Sequence, residues 1–110
     1  MGRGKPFLCE ITVSPGVEEK LAIKHQIEIW EIEEAVYDDP HAFSLTHRDC
    51  HFIYGQTSAG RYLLVLLRIL NGDEVRLLRL PSGTNVAKII TARDMNQNQR
   101  QLYRARKGKS

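Results

Sequence analysis

The residues best suited to chemistry in this chain are the arginines and the tyrosine of its C-terminal segment, KIITARDMNQNQRQLYRARKGKS. A β-branched run ends at Arg93, and a segment rich in amides and then in basic residues follows it. This pattern predicts a strand that gives way to a terminal helix with Asn96 as its N-cap. Such a junction directs side chains into a cleft and offers backbone N–H groups to phosphate. Arg93 is therefore a candidate phosphate ligand, and a salt bridge to Asp94 or to an acid of the second predicted helix is the alternative.

Charge is unevenly distributed along the 110 residues, whose net charge is +3. Residues 18–39 contain eight acidic side chains and two lysines, whereas residues 93–110 contain six basic side chains and one aspartate. A basic surface attracts phosphate polyanions whatever their sequence, although a basic helix is also a common solvated face. The acidic segment repels nucleic acid and could meet a basic partner. Its tryptophan, Trp30, suits either the core or such an interface.

Two helices are predicted near the N-terminus, after a short strand over Phe7–Val13. The first helix has Ser14 as its N-cap and Pro15 at its first position. The second helix ends at Pro40, which cannot continue it. Its apolar stripe, which we expect to face the core, consists of Ile29, Ile32 and Val36.

The second half of the chain predicts strands. A hairpin with its turn at TSAG is predicted for the segment FIYGQTSAGRYLLVLLRIL. A second hairpin is predicted at Asn71-Gly72, because this pair readily adopts positive φ angles. We predict further strands at VRLLRL and VAKIITA, and we predict a loop at HAFSLTHRDCH. The expected fold is α+β: an antiparallel β-sheet meander with two N-terminal helices and a C-terminal helix packed on it. One domain spans residues 1–110, with a flexible start over 1–6 and a basic tail over 105–110.

No metal and no cofactor are expected from the sequence. The predicted loop carries His41, His47 and His51 at irregular spacing, which is more typical of surface histidines than of a metal site. The sequence has no carboxylate cluster and no Gly-rich phosphate loop, which argues against a metal nuclease and against nucleotide hydrolysis.

The cysteines and the apolar runs indicate a cytoplasmic protein that does not span a membrane. Cys9 and Cys50 fit neither a disulfide framework nor a metal spacing, so we expect buried, reduced thiols. The longest apolar run, from Tyr62 to Leu67, is far shorter than the roughly 20 residues that cross a bilayer.

Three blocks of the sequence follow one another as KHQIEIWEIEEAVYDDP, RDCHFIYGQTSAGRYLLVLL and IITARDMNQNQRQLYRARK. In their order and spacing they resemble the BrnT family, small ribonuclease toxins of bacterial type II toxin–antitoxin systems with a RelE-like fold. The resemblance covers nearly the whole chain and implies an RNA substrate and a cognate antitoxin from an adjacent gene. The sequence departs from the family at Gln26, where a helix-capping glycine is usual, at Gln99, where an acid is common, and in a longer stretch over residues 77–88.

RNA cleavage without a metal needs a base, an acid and cations that stabilise the phosphorane charge when the 2′-hydroxyl attacks the adjacent phosphate. Arginine, lysine, histidine and tyrosine suffice for these roles. The resemblance and the charge pattern together identify the catalytic candidates Arg93, Arg61, His25, Lys24 and Tyr103. The RNA-binding candidates are Arg76, Arg100, Arg104, Arg106 and Lys107.

Each catalytic candidate also has a structural alternative. Arg61 could be a solvated charge at a strand edge, and Lys24 and His25 could complement the negative end of a helix dipole. Tyr103 could pack its ring in the core. A second class of function therefore stays open, a non-catalytic module of the same fold that binds nucleic acid or protein.

Overall fold

The computed structural model describes residues 10–81 and 85–108. Along these residues lie five strands and four helices, and the second helix continues directly into a π-helical segment over Glu34–Asp38. The strands are β1 (Glu10–Thr12), β2 (Phe43–His47), β3 (Cys50–Gln56), β4 (Tyr62–Ile69) and β5 (Val86–Asp94). The helices are α1 (Pro15–Lys24), α2 (Ile29–Glu33), α3 (Gly72–Leu77) and α4 (Gln97–Gly108).

The strands form one mixed sheet in the order β1-β5-β4-β3-β2. From β2 to β5 each strand runs antiparallel to the next, whereas β1 lies parallel to β5 at the sheet edge. The α+β class is confirmed. The prediction of an entirely antiparallel sheet is wrong, because β1 pairs with the last strand of the chain. Periodicity identifies a strand from neighbouring residues but does not reveal its distant partner.

The helices α1 and α2 cover one face of the sheet, which we call the helix-layer face. As predicted, α1 begins at Ser14, whose side chain accepts a hydrogen bond from the Val17 N–H at 3.3 Å. The predicted stripe of α2 is also confirmed: Ile32 and Val36 are fully buried and Ile29 packs against them from the rim. Strand residues whose side chains lie on this face complete the core: Ile53, Leu63, Val65, Leu67, Ala87, Ile89 and Ala92.

The π-helical segment lies against the end of β3 because Gly55 has no side chain. A Cβ at Gly55 would stand 2.3 Å from the carbonyl oxygen of Ala35, a distance that no real side chain tolerates. Glycine therefore allows the helix backbone to approach the strand. The approach brings Asp39, which follows the segment, within hydrogen-bonding distance of the Gln56 N–H at 2.9 Å.

The helix α4 covers part of the opposite face of the sheet, which we call the α4 face. Its predicted N-cap is confirmed: the Asn96 side chain accepts the Gln99 N–H at 2.8 Å, and the Gln99 side chain accepts the Asn96 N–H at 2.9 Å. Gln99 thus completes a capping box, a role that an amide fills as well as an acid. A second apolar cluster forms where α4 meets the sheet and consists of Tyr54, Leu64, Met95 and Tyr103.

The predicted hairpin at Asn71-Gly72 is wrong, as is the strand VRLLRL after it, because Asn71 caps α3. Its side chain accepts the Glu74 N–H at 2.9 Å while the Glu74 carboxylate accepts the Asn71 N–H at 3.0 Å. This reciprocal pair stabilises a helix start and competes with the turn that Asn-Gly favours elsewhere.

The predicted loop HAFSLTHRDCH is also wrong, because it contains β2 and the start of β3. The two strands pair in register from Phe43 opposite Tyr54 to His47 opposite Cys50, and Arg48 turns the chain with a φ of 58°. An arginine with positive φ gives no turn signal in the sequence.

Some predictions fall wholly or partly outside the described residues. The predicted strand Phe7–Val13 is described only from Glu10, where it forms β1. Cys9, the flexible start over 1–6 and Lys109 lie outside the described ranges. The thiol of Cys50 is free but only half-buried, so its predicted full burial is not met.

Candidate nucleic-acid interface

Tyr103 lies in the core and not on a surface. Its side chain is fully buried, and its hydroxyl donates a hydrogen bond of 2.5 Å to Oδ2 of Asp39. Burial, followed by the hydrogen bond and the charge of Asp39, raises the pKa of Tyr103 well above its ordinary value of 10.0. The structure therefore corresponds to the packing alternative, and the phenol has no open path to a substrate.

Arg61 uses all five of its N–H donors within the protein. Nε and Nη2 donate to the Asp94 carboxylate at 2.7 and 3.1 Å, and Nη1 donates to Glu31 at 3.2 Å. Nη1 and Nη2 also donate to the backbone carbonyls of Gln26 and His25, both at 2.8 Å. The hydrogen bond to Asp94 raises the pKa of Arg61 and lowers that of Asp94. Arg61 thus joins the helix layer to the end of β5 and has no donor left for a phosphate.

Lys24 and His25 end α1, as predicted. Lys24 is exposed in the last turn, and half-buried His25 is the C-cap. The His25 carbonyl oxygen accepts a hydrogen bond from Nη2 of Arg61 at 2.8 Å. Gln26 has a φ of 51°, the conformation for which glycine is usual at this position, and Ile27 N–H then donates to the Leu21 carbonyl at 3.0 Å.

Arg93 lies on the opposite side of the sheet from Arg61. Arg93 is paired in register with Leu64, whose side chain is on the α4 face, whereas Asp94 is paired with Leu63 of the helix-layer core. The Arg93 side chain is exposed and donates from Nη1 to the Asp94 carbonyl oxygen at 3.1 Å. The alternative role for Arg93, an ion pair with the Asp94 carboxylate, is absent from its described contacts, and Arg61 holds that carboxylate.

Tyr62 is the functional candidate that the sequence did not reveal. Its hydroxyl accepts a hydrogen bond from Nε of Arg104 at 3.4 Å, and the guanidinium carbon lies 5.3 Å from the centre of its ring. The Arg104 hydrogen bond, together with the charges of Arg104 and Lys107, lowers the pKa of Tyr62 below its ordinary 10.0. Tyr62 opens an apolar strand, so its sequence context indicates a core residue. Tyr62 lies two residues before Leu64 on β4, so the two side chains share the face of the sheet that carries Arg93.

The surroundings of Tyr62 form a basic polar cluster on the α4 face. Nζ of Lys107 lies 3.4 Å from Oε1 of Gln56, the residue directly opposite Tyr62 on β3. Met95 lies opposite Tyr62, because its N–H donates to the Tyr62 carbonyl. Arg93, two residues before Met95, is therefore the diagonal neighbour of Tyr62 on the same face. Diagonal neighbours on one face lie about 7–8 Å apart. We call Gln56, Tyr62, Arg93, Arg104 and Lys107 the Tyr62 cluster.

The remaining RNA-binding candidates are spread over three places. Arg106 stacks on the ring of Phe43, with 4.3 Å between the guanidinium carbon and the ring centre. Arg100 is in the first turn of α4, and its charge contributes to the lowered pKa of Asp94. Arg76 forms an ion pair with Asp73 on α3, which follows the far end of the eight-residue β4, roughly 25 Å from Tyr62. Arg76 therefore lies away from the surface formed by α4.

The α4 face continues past α4 as an uncovered part of the sheet. In-register residues form rows across strands β2 to β5, and α4 packs over the row that contains Tyr54 and Leu64. The next row is partly exposed and consists of three apolar residues, Leu45, Phe52 and Leu66, and of Thr91 on β5. The row after it is polar and consists of His47, Cys50, Arg68 and Lys88. An apolar floor therefore lies between the cations of the Tyr62 cluster and those of Arg68 and Lys88.

No protein-family model matches the sequence, and no curated protein matches it as a relative. Within residues 10–81 and 85–108 no helix is both long and apolar enough to cross a membrane. In the same part of the chain no group of three or more His, Cys, Asp or Glu side chains is arranged to hold a metal ion.

Proposed function

We propose that the chain is a metal-independent endoribonuclease of the toxin type, which binds RNA on the α4 face and cleaves it at the Tyr62 cluster. One observation carries the proposal: a phenol with a lowered pKa lies beside two cationic side chains of α4, Arg104 and Lys107, and Arg93 is its diagonal neighbour on β5. A base beside several cations is what attack of a 2′-hydroxyl on a phosphodiester requires.

In this mechanism the Tyr62 phenolate takes the proton of the 2′-hydroxyl as its oxygen bonds to phosphorus. The bond from phosphorus to the 5′-oxygen breaks, and Lys107 is the group in the cluster that returns a proton to that leaving oxygen. Arg93 and Arg104 hold the charge that develops on the phosphorane. The products are a 2′,3′-cyclic phosphate and a 5′-hydroxyl, so no oxidant, metal or cofactor takes part.

The proposal includes the RelE-like fold of the BrnT family, a cytoplasmic location and a cognate antitoxin that binds and silences the protein. The outer surface of the helix layer supports a protein partner of opposite charge. Trp30 is 55% exposed and Ile23 67% exposed there, and both are large apolar side chains. The exposed acids of the same layer are Glu18, Glu19, Glu28, Glu33 and Asp38.

The test uses the purified chain, freed of any co-expressed partner, and a single-stranded RNA that is end-labelled. We expect cleavage in the presence of EDTA and 2′,3′-cyclic phosphate ends on the products. Tyr62→Phe should abolish cleavage while the circular dichroism spectrum is retained, and Tyr37→Phe, on the helix-layer face, is the control. Intact RNA after prolonged incubation with the partner-free protein would defeat the proposal.

A binding module of the same fold is the second candidate, and the position of the predicted catalytic residues favours it. Arg61 is fully engaged and Tyr103 is buried, so those two residues offer no group to a substrate. In that case the protein would bind the labelled RNA with a strong salt dependence and leave it uncut.

A further inference from the structure

The carboxylate of Asp39 joins three elements of the fold. Asp39 follows the π-helical segment and precedes Pro40. Its Oδ1 accepts the His41 N–H at 2.9 Å, and its Oδ2 accepts both the Gln56 N–H at 2.9 Å and the Tyr103 hydroxyl at 2.5 Å. One side chain thus connects the helix layer with the end of β3 and with α4.

Two of these donors belong to residues that touch the Tyr62 cluster. Gln56 is a member of it, and its Nε2 also donates to the Gly60 carbonyl at 3.1 Å in the turn before β4. The Tyr103 ring meets the Tyr62 ring edge-on, with 5.7 Å between their centres, and Nζ of Lys107 lies 5.9 Å from the centre of the Tyr103 ring. Asp39 therefore contacts one residue on each side of the cluster: Gln56 at the end of β3 and Tyr103 in α4.

The chemistry of the three contacts indicates an orienting role. All three donors are uncharged: two are backbone N–H groups and one is a phenol. An ionised acceptor strengthens and shortens such hydrogen bonds, which fixes the donors in place. Tyr103 precedes Arg104 directly in α4, so a shift of the α4 backbone at Tyr103 also displaces the guanidinium that contacts Tyr62.

We propose that Asp39 is a positioning residue of the Tyr62 cluster: it fixes α4 against the end of β3, so that Arg104 and Lys107 stay beside Tyr62. Its catalytic consequence rests on the proposed ribonuclease function, but its structural consequence does not. The groups that face Tyr62 are Arg104 and Lys107 from α4 and Gln56 from β3.

The sign of the change in the Tyr62 pKa on Asp39→Ala tests the proposal. Removing a carboxylate by itself makes the surroundings more positive and lowers the pKa of a nearby phenol. Releasing α4 withdraws the cations from Tyr62 and raises its pKa. We therefore expect an upward shift, measured by an NMR pH titration of protein with ¹³C-labelled tyrosine, in which Tyr62→Phe identifies the resonance among the four tyrosines.

Matched variants separate position from charge. Asp39→Asn removes the charge but keeps an acceptor for a backbone N–H and offers its amide to the Tyr103 oxygen, so the Tyr62 pKa should stay at or below that of the wild type. Asp38→Ala removes the same charge one residue earlier, on an exposed side chain, and should cause no upward shift. If Asp39→Ala does not fold, Tyr103→Phe removes the contact to α4 directly and should give the upward shift.

Cleavage provides the second measurement. Asp39→Ala should lose roughly 10- to 100-fold in cleavage rate at neutral pH, since a displacement of about 1 Å costs this much in a positioned site, and Asp39→Asn should recover most of it. A Tyr62 pKa that falls in Asp39→Ala, or does not move in either Asp39→Ala or Tyr103→Phe, overturns the positioning role. A wild type that leaves RNA intact but shows the upward shift in Asp39→Ala would instead overturn the ribonuclease and leave the positioning role in place.

Discussion

Arg93 and Asp94 are neighbours in the chain, yet their side chains serve opposite faces of the sheet. Arg93 lies on the α4 face as a member of the Tyr62 cluster, whereas the Asp94 carboxylate holds Arg61 on the helix-layer side at 2.7 Å. Because Arg61 occupies that carboxylate, the guanidinium of Arg93 contacts only a backbone carbonyl among the described residues and stays exposed. The end of β5 thus separates a structural arginine from one that faces solvent.

Replacing Arg93 with alanine should lower RNA cleavage by about 100-fold, because loss of one preorganised donor to a developing charge costs about 2–4 kcal/mol of transition-state stabilisation. The melting temperature should change little, since the side chain is exposed. Single-turnover cleavage assays measure the effect. The control is Arg76→Ala at the far end of the sheet, and equal losses in both variants would contradict a local role for Arg93.

Replacing Arg61 with alanine should destabilise the fold by about 1.5–3 kcal/mol, the range for hydrogen bonds to charged groups. The change leaves the partly buried Glu31 carboxylate and two backbone carbonyls without their donor. Arg61→Lys should restore little of the stability, because an ammonium lacks the planar fork that reaches acceptors on two sides. Urea denaturation checks both variants against Lys24→Ala, and an unchanged midpoint for Arg61→Ala would disprove the structural role.

Replacing Gly55 with alanine should destabilise the protein by about 1–3 kcal/mol, because the new methyl group forces the backbone of Ala35 away from β3. Gly16 is the matched control, since a Cβ there meets nothing within 4 Å and alanine favours the helix. Thermal unfolding should therefore shift in opposite directions for the two glycine variants. A Gly55→Ala protein as stable as the wild type would mean that the helix layer adjusts freely at this point.

Stability at acid pH should depend on Glu74. Hydrogen bonds from Arg68 and from the Asn71 N–H lower the pKa of Glu74 from 4.5 to about 2. The folded pKa lies below the unfolded one, so the stabilisation is complete above pH 4.5 and disappears as the pH falls through about 2. In Glu74→Gln, the acid-induced loss of stability over this window should be smaller, as measured by urea midpoints at successive pH values. The control Glu33→Gln should lose stability with acid as the wild type does.

The sequence by itself determined the features that depend on neighbouring residues. Ser14 and Asn96 each accept an N–H three residues ahead, so their capping roles were readable from short-range spacing. The stripe of Ile32 and Val36 was readable for the same reason, because one helical turn places them on one face. At Asn71 two local rules competed, and the capping box with Glu74 prevailed over the hairpin turn.

Only the tertiary structure decided the parallel pairing of β1 with β5, the burial of Tyr103 and the composition of the Tyr62 cluster. Asp39 lies 64 positions before Tyr103, and Tyr62 lies 42 positions before Arg104, so nothing in either local segment indicates the other. Arg61 shows the same limit, since it was a catalytic candidate from the sequence, whereas its five acceptors come from residues up to 36 positions away. Such contacts form because burial of the apolar faces brings distant polar groups together, and each buried donor must then find an acceptor.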